Sequence, residues 1–312
     1  MKVVSLFSGA GGLDLGLHKA GHKIVFANDH FIDAAKTYER NLKHSIDTRD
    51  IEKVSSSEIP NCDIVVGGFP CQGFSVANWT RRAEDPRNKM YLELLRVIKT
   101  KKPKFVLCEN VPGLLSLEKG EVFKKILHEL AGLGYLVRYS ILTAADYGVP
   151  QMRRRVFIFC QKNTIKKILP FPPRPTHKNP KLLNGNGGTA WISVGECLKE
   201  YPEPNKTNSF FLNHEGSKYK LRFNGHLGHR FVDPKKPAPT VTARGDEKGG
   251  VVVLHHPKNH RRITVREMAA IQSFPDEFYF VGTNTSCYRQ IANSVPPRLS
   301  YIIGLWLKGY EK

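Results

Sequence analysis

The chain has no C-x-x-C pair and no apolar run long enough to cross a membrane. Its six cysteines stand singly, at positions 62, 71, 108, 160, 197 and 287. The sequence therefore indicates neither a zinc site nor a disulfide framework. The chain opens directly on the strand-like segment VVSLF, without a signal-peptide pattern. We therefore expect a cytoplasmic protein with free thiols, no bound metal and no membrane contact.

Acidic residues are also scarce. The 312 residues include 28 Asp and Glu against 48 Lys and Arg, a formal net charge of +20. The cations are spread along the chain, so folded surfaces must be basic, and a polyanion such as nucleic acid is the expected partner. A solvated surface that only maintains solubility is the alternative interpretation of this charge.

Short β-branched or apolar runs alternate with helix-like amphipathic stretches through the first half of the chain. The runs are VVSLF, KIVFAND, CDIVVGGF, KFVLCENV, LVRYSIL and RRVFIFC. The helical candidates are Leu13–Ala20, Asp33–Asn41, Met90–Thr100 and Glu121–Gly132. This alternation predicts an α/β fold with a doubly wound, mostly parallel sheet. Its ligand crevice should lie beyond the carboxyl ends of the strands.

The pattern changes after about residue 163, where Pro, Gly and Asn become frequent and basic residues alternate with aromatic ones at 218–231. Such a composition favours a small irregular lobe. Helix-like sequence returns at Thr264–Ser273 and again from Pro296. We predict one domain made of residues 1–162 and 262–312, interrupted by a lobe at 163–261.

A glycine-rich turn, FSGAGGLDLGL at 7–17, follows the first predicted strand. Such turns let backbone amides approach a ligand closely. The second strand ends at Asp29, a position where a carboxylate commonly accepts hydrogen bonds from ribose hydroxyls. Together they predict a nucleoside-containing cofactor. A nicotinamide-dependent dehydrogenase and a purely structural turn are the alternatives at this point.

Three further stretches place reactive side chains at predicted strand ends. Cys71 lies in GGFPCQGFS, Glu109 in ENV, and Arg153 and Arg155 in QMRRR. A thiolate beside a carboxyl group can attack an electron-poor ring, and alternate arginines on a strand share one face. Taken singly, a buried structural cysteine and a surface carboxylate are the plainer interpretations.

In this order the stretches resemble the DNA (cytosine-5) methyltransferases of the bacterial restriction-modification type. FSGAGG is similar to the family's S-adenosylmethionine turn, GGFPCQGFS to its nucleophile loop, and ENV to its base-binding motif. QMRRR resembles its Q-x-R-x-R motif and QIANSVPP, at 290–297, its closing cofactor motif. PAPTVTARG at 237–245 and RRITVREMAAIQSFPD at 261–276 resemble the passages that follow its recognition lobe.

The resemblance implies catalytic roles for four residues. Cys71 would be the nucleophile on carbon-6 of cytosine, and Glu109 would contact ring nitrogen 3. Arg153 and Arg155 would steady the flipped base and the adjacent loop. Two amides, Asn110 and Gln151, would hold the pocket together.

The resemblance also implies a bound S-adenosyl-L-methionine, with S-adenosyl-L-homocysteine as product. Asp29 would take the ribose and Asp50 the adenine edge, although Asp47 lies close to the latter in sequence. The implied cofactor residues are Phe7, Ser8, Gly9, Gly11, Gly12, Leu13, Asp29, Asp50, Pro70, Asn293 and Ser294. One departure is visible, because Ala292 stands where the family has glycine.

The implied activity is methylation of carbon-5 of a flipped cytosine in a specific duplex DNA sequence, through a covalent Cys71 adduct. We expect a monomer whose partner is double-stranded DNA, with any cognate restriction endonuclease acting separately. Methylation of transfer RNA by the same core, and DNA binding without catalysis, are the alternatives. Candidate base or phosphate contacts in the lobe are Lys218, Lys220, Arg222, His226, His229 and Arg230.

Overall fold

The computed structural model describes residues 1–69, 90–183, 188–204, 211–216, 229–242, 253–258 and 261–311. Pro70 and Cys71, with four of the lobe candidates at 218, 220, 222 and 226, lie outside these residues. The other two lobe candidates lie in a short described strand, His229–Phe231.

Six strands form the central sheet. They are β1 (Lys2–Leu6), β2 (Lys23–Asn28), β3 (Ile64–Gly67), β4 (Phe105–Asn110), β5 (Tyr135–Thr143) and β6 (Arg154–Lys162), in the spatial order β2-β1-β3-β4-β6-β5. The pairs joining β2, β1, β3 and β4 are parallel, whereas β6 runs antiparallel to both of its neighbours. The predicted α/β fold with a mostly parallel sheet is confirmed.

Helices α1 (Gly12–Lys19), α2 (Ile32–Leu42), α3 (Met90–Lys101), α4 (Glu121–Gly132) and α8 (Pro297–Lys308) cover the two faces of the sheet. Three further helices, α5 (Val194–Cys197), α6 (Val265–Ile271) and α7 (Asn284–Asn293), pack in a separate core. Alternate residues of β3 show the layering, since Val65 packs in the cluster with α3 and α4 while Val66 packs in the cluster with α1 and α8. A strand buried on both faces is typical of a parallel sheet, which explains its continuous apolar sequence.

The chain reverses direction across the sheet next to β1. From β1 it passes to β2 on one side and then returns to β3 on the other side. Ligands of doubly wound folds bind beyond the carboxyl ends of the strands at such a switch point. The antiparallel register Asn110↔Val156 also brings the start of β6 to this edge of the sheet.

A third core joins the last helices to segments of the predicted lobe. It contains Val194, Val232 and Val241 together with residues of α6 and α7, including Ile271 and Ile291. Four short strands complete the elements described in this part of the chain, namely β7 (His177–Lys178), β8 (Thr189–Ala190), β9 (His229–Phe231) and β10 (Val253–His255). The division of the chain at 162/163 and 261/262 stays a prediction.

Among the described residues, no helix is both long and apolar enough to span a membrane.

Candidate active site

A cavity of about 480 Å³ opens at the switch point of the sheet. It is bordered by the residues after β1 and β2, by the ends of β3 and β4, by the start of β6, and by the end of α7. Ten of the predicted site residues line it: Phe7, Ser8, Gly9, Leu13, Asp29, Glu109, Arg153, Arg155, Asn293 and Ser294. The fold therefore assembles distant parts of the sequence around one space.

The turn after β1 is tied to the end of β2 by one carboxylate. Asp29 accepts hydrogen bonds at 2.8 Å from the backbone N–H groups of Gly9 and Phe31. Phe7 and Gly9 both have left-handed backbone angles, with φ of 56° and 55°. A Cβ built on Gly9 would meet nothing within 4 Å, so the backbone there faces open space. Burial raises the pKa of Asp29, and its two backbone hydrogen bonds oppose that rise.

Gly11 and Gly12 lie outside the lining and serve packing. A Cβ on Gly11, where φ is +86°, would lie 2.8 Å from a ring carbon of Tyr38. A Cβ on Gly12 would lie 2.3 Å from the carbonyl oxygen of Val295, whose residue lines the cavity. Gly11 therefore lets the start of α1 approach α2 closely, and Gly12 lets it approach the Ser294–Val295 segment that borders the cavity.

Gly12→Ala is expected to lower stability by about 1–3 kcal/mol, because the Val295 backbone must move away from the new methyl group. The substitution should also weaken the binding of a ligand in the cavity. Gly132→Ala is the matched control, since a Cβ at that position, in α4, meets nothing within 4 Å. The control should be neutral or stabilising by up to about 1 kcal/mol. Thermal unfolding of both variants measures the difference, and equal stability would contradict this packing role.

Asp50 and Asp47 also lie outside the lining. Asp50 is exposed and accepts a hydrogen bond from the Glu52 N–H, at the start of a 3-10 helix (Ile51–Lys53). Asp47 forms an ion pair with Arg49, at 2.6 Å. The structure gives both carboxylates local partners, and a role for Asp50 at an adenine edge remains a prediction.

Asp14 is a fully buried carboxyl group directly behind the turn after β1. It accepts hydrogen bonds at 2.7 Å from the hydroxyls of Ser5 and Tyr38. Burial raises its pKa to about 6, although the two hydroxyls lower it. The sequence analysis did not single out Asp14, because an acidic residue in a first helical turn is common.

The raised pKa of Asp14 predicts a pH dependence of stability. The folded-state pKa of about 6 exceeds the ordinary 3.8, so the native state binds the proton more tightly. This contribution is present in full below pH 3.8 and is lost as the pH rises through 6. Asp14→Asn removes it, so the variant should gain roughly 3 kcal/mol relative to wild type between pH 4 and pH 7. Denaturant unfolding across this range tests the sign, and parallel curves would contradict it.

Glu109, Arg155 and Arg153 form a buried charged group at the cavity wall. Arg155 Nε lies 3.0 Å from Glu109 Oε1. Arg153 is 1% exposed, and its Nε and Nη1 have no hydrogen-bond partner among the described residues. Burial lowers the pKa of Arg153, and repulsion from Arg155 lowers it further. Two cations thus face one carboxylate, which leaves capacity to bind an acceptor atom or an anion.

The backbone near Glu109 is arranged for close approach. A Cβ on Gly68 would lie 3.3 Å from Glu109 Oε2, so glycine leaves the carboxylate accessible. Asn110 Nδ2 donates to the Phe69 carbonyl at 3.4 Å, and Asn110 Oδ1 accepts from the Val111 N–H at 2.8 Å. Asn110 therefore links the end of β4 to the residue that precedes the Pro70–Cys71 stretch.

The five described cysteines are poor nucleophiles. Burial raises the pKa of Cys62 to about 11 and those of Cys108, Cys197 and Cys287 to about 12. It also raises the pKa of Cys160. Thiolates are scarce at neutral pH under these conditions. Nucleophilic attack by these five is therefore disfavoured.

Several cavity residues escaped the sequence analysis. His30 and Phe31 follow Asp29 directly, and Arg289 immediately precedes the QIANSVPP stretch. The guanidinium carbon of Arg289 lies 3.9 Å from the centroid of the Phe31 ring, a cation–π contact between two residues that line the cavity. His30 and Phe31 could have been predicted as cavity residues because they follow Asp29 directly in the sequence. The Arg289 contact is long-range and had no such signal in the sequence.

Ala292, the departure from the family pattern, is 4% exposed and also lines the cavity.

Comparisons with known proteins agree with the order of these motifs. A family model described as C-5 cytosine-specific DNA methylase matches residues 1–308. The Type II methyltransferase M.NgoFVII of Neisseria gonorrhoeae is 35% identical, with 100% of this chain and 88% of that protein covered. M.FnuDI, a Type II methyltransferase of Fusobacterium nucleatum, is 37% identical, with 99% and 94% covered.

A solved structure supports the fold independently. The Entamoeba histolytica methyltransferase EhMeth superposes with a TM-score of 0.73 at 20% identity, covering 100% of this chain and 99% of that chain. The dehydrogenase alternative is therefore wrong, and the family match favours DNA over transfer RNA as the methylated polymer. This chain belongs to the C-5 cytosine-specific DNA methylase family and is a DNA (cytosine-5-)-methyltransferase.

Proposed function

We propose that the protein transfers a methyl group from S-adenosyl-L-methionine to carbon-5 of a cytosine flipped out of duplex DNA. The observation that carries this proposal is the shared cavity, in which the Glu109–Arg155 ion pair faces the turn after β1 and the end of α7. A base-binding group and a nucleoside-binding loop thus border the same space.

The residues of the cavity fit S-adenosylmethionine. Its volume of about 480 Å³ lies within the range of small-molecule sites. The Asp29 carboxylate uses one lone pair per oxygen on backbone N–H groups, which leaves acceptor capacity for ribose hydroxyls. Phe31 offers an aromatic surface for a purine, and the open backbone at Gly9 permits close approach of the methionine part. When bound, the cofactor would supply an electrophilic methyl group.

The residues of this chain would make cytosine reactive toward that methyl group. The Cys71 thiolate would add to carbon-6, and the displaced electron pair would raise the nucleophilicity of carbon-5. Glu109, positioned by Arg155, would act as the acid that donates a proton to ring nitrogen 3 as negative charge develops there. Arg153, whose Nε and Nη1 have no hydrogen-bond partner among the described residues, would hold the base or the segment that carries Cys71. Once carbon-5 has taken up the methyl group, loss of its proton would restore the ring double bond and expel the Cys71 thiolate from carbon-6.

The target cytosine would be reached by base flipping, and the basic surface would supply the DNA contacts that make flipping possible. Extrusion of a base costs a few kcal/mol, which phosphate contacts by Lys and Arg must offset. The net charge of +20 supplies such contacts. We assign the choice of sequence to the lobe at 163–261. The relatives named above are Type II methyltransferases, which supports a modification enzyme of the restriction-modification kind.

The product distinguishes this reaction from other methylations. The protein is incubated with unmethylated genomic DNA and isotopically labelled S-adenosylmethionine, and the nucleosides are then separated. Labelled 5-methylcytosine as the sole product is the expected result. Label in N4-methylcytosine or N6-methyladenine, or label only in transfer RNA offered in parallel, would overturn the proposal.

A further inference from the structure

Two buried glutamines connect the segment at Val241 to the cavity-lining turn at Ser294. Gln151 and Gln272 are both fully buried. Gln151 Oε1 accepts from the Val241 N–H at 3.0 Å, and Gln151 Nε2 donates to Gln272 Oε1. Gln272 Nε2 then donates to the Ser294 carbonyl at 2.7 Å and to the Ile291 carbonyl at 3.2 Å. The hydrogen bonds therefore run in one direction, from Val241 to Ser294.

One end of this amide chain lies within the predicted lobe, at Ala238 and Val241. Ala238 pairs with Gln151 in a parallel bridge and accepts a 2.8 Å hydrogen bond from the Met152 N–H. Val241, three residues further on, is held by the Gln151 side chain. Arg153, two residues after Gln151 in the sequence, lies at the cavity wall. The lobe-side segment is thus fastened to the arginine motif by backbone and side-chain bonds together.

The other end of the amide chain lies at the cavity itself, at Ser294. Ser294 ends α7 and lines the cavity, and its hydroxyl donates to the Gln290 carbonyl at 2.8 Å. The next residue, Val295, is the one whose carbonyl would lie 2.3 Å from a Cβ on Gly12. A small shift of the Ser294–Val295 turn therefore changes the space in front of the β1 turn.

Gln272 joins Gln151 to the turn at Ser294. It caps the C-terminus of α6, and its oxygen and nitrogen both engage other segments. A buried amide chain is strong only when every group is paired, so removal of its middle member leaves unsatisfied groups on both sides. Interiors are close-packed, so displacement at one end is transmitted to the other.

We propose that Gln272 is a positioning residue that couples DNA engagement to cofactor binding. DNA bound by the lobe fixes the segment at Val241, and the amide chain through Gln151 and Gln272 fixes the Ser294 turn in its cofactor-binding position. This inference rests on the cofactor cavity of the proposed function. By linkage, the cofactor must in turn strengthen DNA binding by the same factor.

The test uses S-adenosylhomocysteine, which binds without turnover. Its dissociation constant is measured for the full chain by calorimetry, with and without unmethylated genomic DNA fragments. The ratio of the two constants is the coupling factor, expected to be about fivefold or more for the wild type. Gln272→Met keeps the approximate length and shape of the side chain but removes all of its hydrogen bonds. It should reduce the factor to about one.

A second variant guards against failure to fold. Gln272→Asn keeps the amide but withdraws it by one methylene, so it cannot reach Gln151 and Ser294 together. It should also lower the coupling factor, with a smaller loss of stability. Retention of the full wild-type factor by a folded Gln272 variant would overturn the inference.

Gln161 provides the matched control. It is 1% exposed and lies at the other end of β6, where its Nε2 donates at 2.8 Å to the carbonyls of Ile165 and Lys167. Its Oε1 accepts from the Tyr310 hydroxyl at 2.8 Å. Gln161→Met should lower the thermal midpoint about as much as Gln272→Met and leave the coupling factor unchanged. An equal loss of coupling in both variants would show a general effect of stability and overturn the role of Gln272.

The wild type alone separates this inference from the proposed function. S-adenosylhomocysteine binding that is unaffected by DNA would overturn the coupling and leave the cofactor cavity standing. No binding of S-adenosylhomocysteine at all would remove the cofactor cavity and the coupling with it.

Discussion

Replacement of Cys71 by alanine is expected to reduce methyl transfer by at least about 10³-fold, because the attack that makes carbon-5 nucleophilic is lost. Binding of DNA should persist, since the thiol contributes little to phosphate or base contacts. The rate is measured under single-turnover conditions with labelled cofactor. DNA affinity is measured separately by gel shift.

Covalent trapping gives the prediction its second readout. Duplex DNA that contains 5-fluorocytosine should form a denaturation-resistant complex with the wild type, because fluorine cannot leave carbon-5 as a proton does. Cys71→Ala should form none. The matched controls are Cys108→Ala and Cys160→Ala, whose thiols are buried and have raised pKa values. They should lower stability while trapping remains. An active Cys71→Ala protein would contradict the nucleophile assignment.

Replacement of Glu109 by glutamine is expected to slow transfer by about 10²–10⁴-fold. The carboxylate that would face ring nitrogen 3 is lost, and Arg155 and Arg153 remain buried without a counter-charge. Removal of one member of a buried ion pair typically costs about 3–5 kcal/mol, so thermal unfolding must be recorded with the rate. Single-turnover transfer at saturating DNA is the measurement.

A charge-conserving variant separates chemistry from folding. Glu109→Asp keeps the ion-pair charge but withdraws the carboxylate by one methylene, so it should stay folded and still transfer slowly. Glu121→Gln is the surface control, because the Glu121–Lys124 pair, at 2.9 Å, is exposed. Exposed ion pairs contribute little to stability, so this control should change neither the transfer rate nor the thermal midpoint. Wild-type rates in both Glu109 variants would exclude Glu109 from the reaction.

Much of the fold was predictable because each element carries a local pattern. Glu121–Gly132 is helical over the predicted range, and the strand runs coincide closely with β1 to β6. The pairing direction of β6 was not predicted. An apolar run looks the same in either direction, but only residues 144–153 separate β5 from β6, and parallel strands need a longer crossover.

The antiparallel direction of β6 decides the position of the site. In a parallel sheet the start of β6 would lie at the amino edge, far from Glu109. The antiparallel register Asn110↔Val156 instead places Arg155 beside it. The sequence order of the motifs identified the arginines as site residues through the family resemblance, whereas strand alternation alone would have placed them at the wrong edge.

Long-range side-chain contacts set the limit of sequence reasoning. Gly11 and Gly12 belong to a glycine-rich turn, yet their function in packing depends on Tyr38 and Val295, which are distant in sequence. Gln272 likewise stands in an ordinary amphipathic stretch. Its part in the amide chain appears only when α6, α7 and the segment before β6 are brought together.

Base-resolution sequencing of 5-methylcytosine tests the central claim most directly. The protein is expressed in a bacterial host without DNA methylation of its own, beside Cys71→Ala. Methylation at carbon-5 of cytosine is expected, confined to one short recurring sequence and absent in the variant. Unmodified DNA from cells that contain folded, S-adenosylmethionine-binding protein would contradict the account.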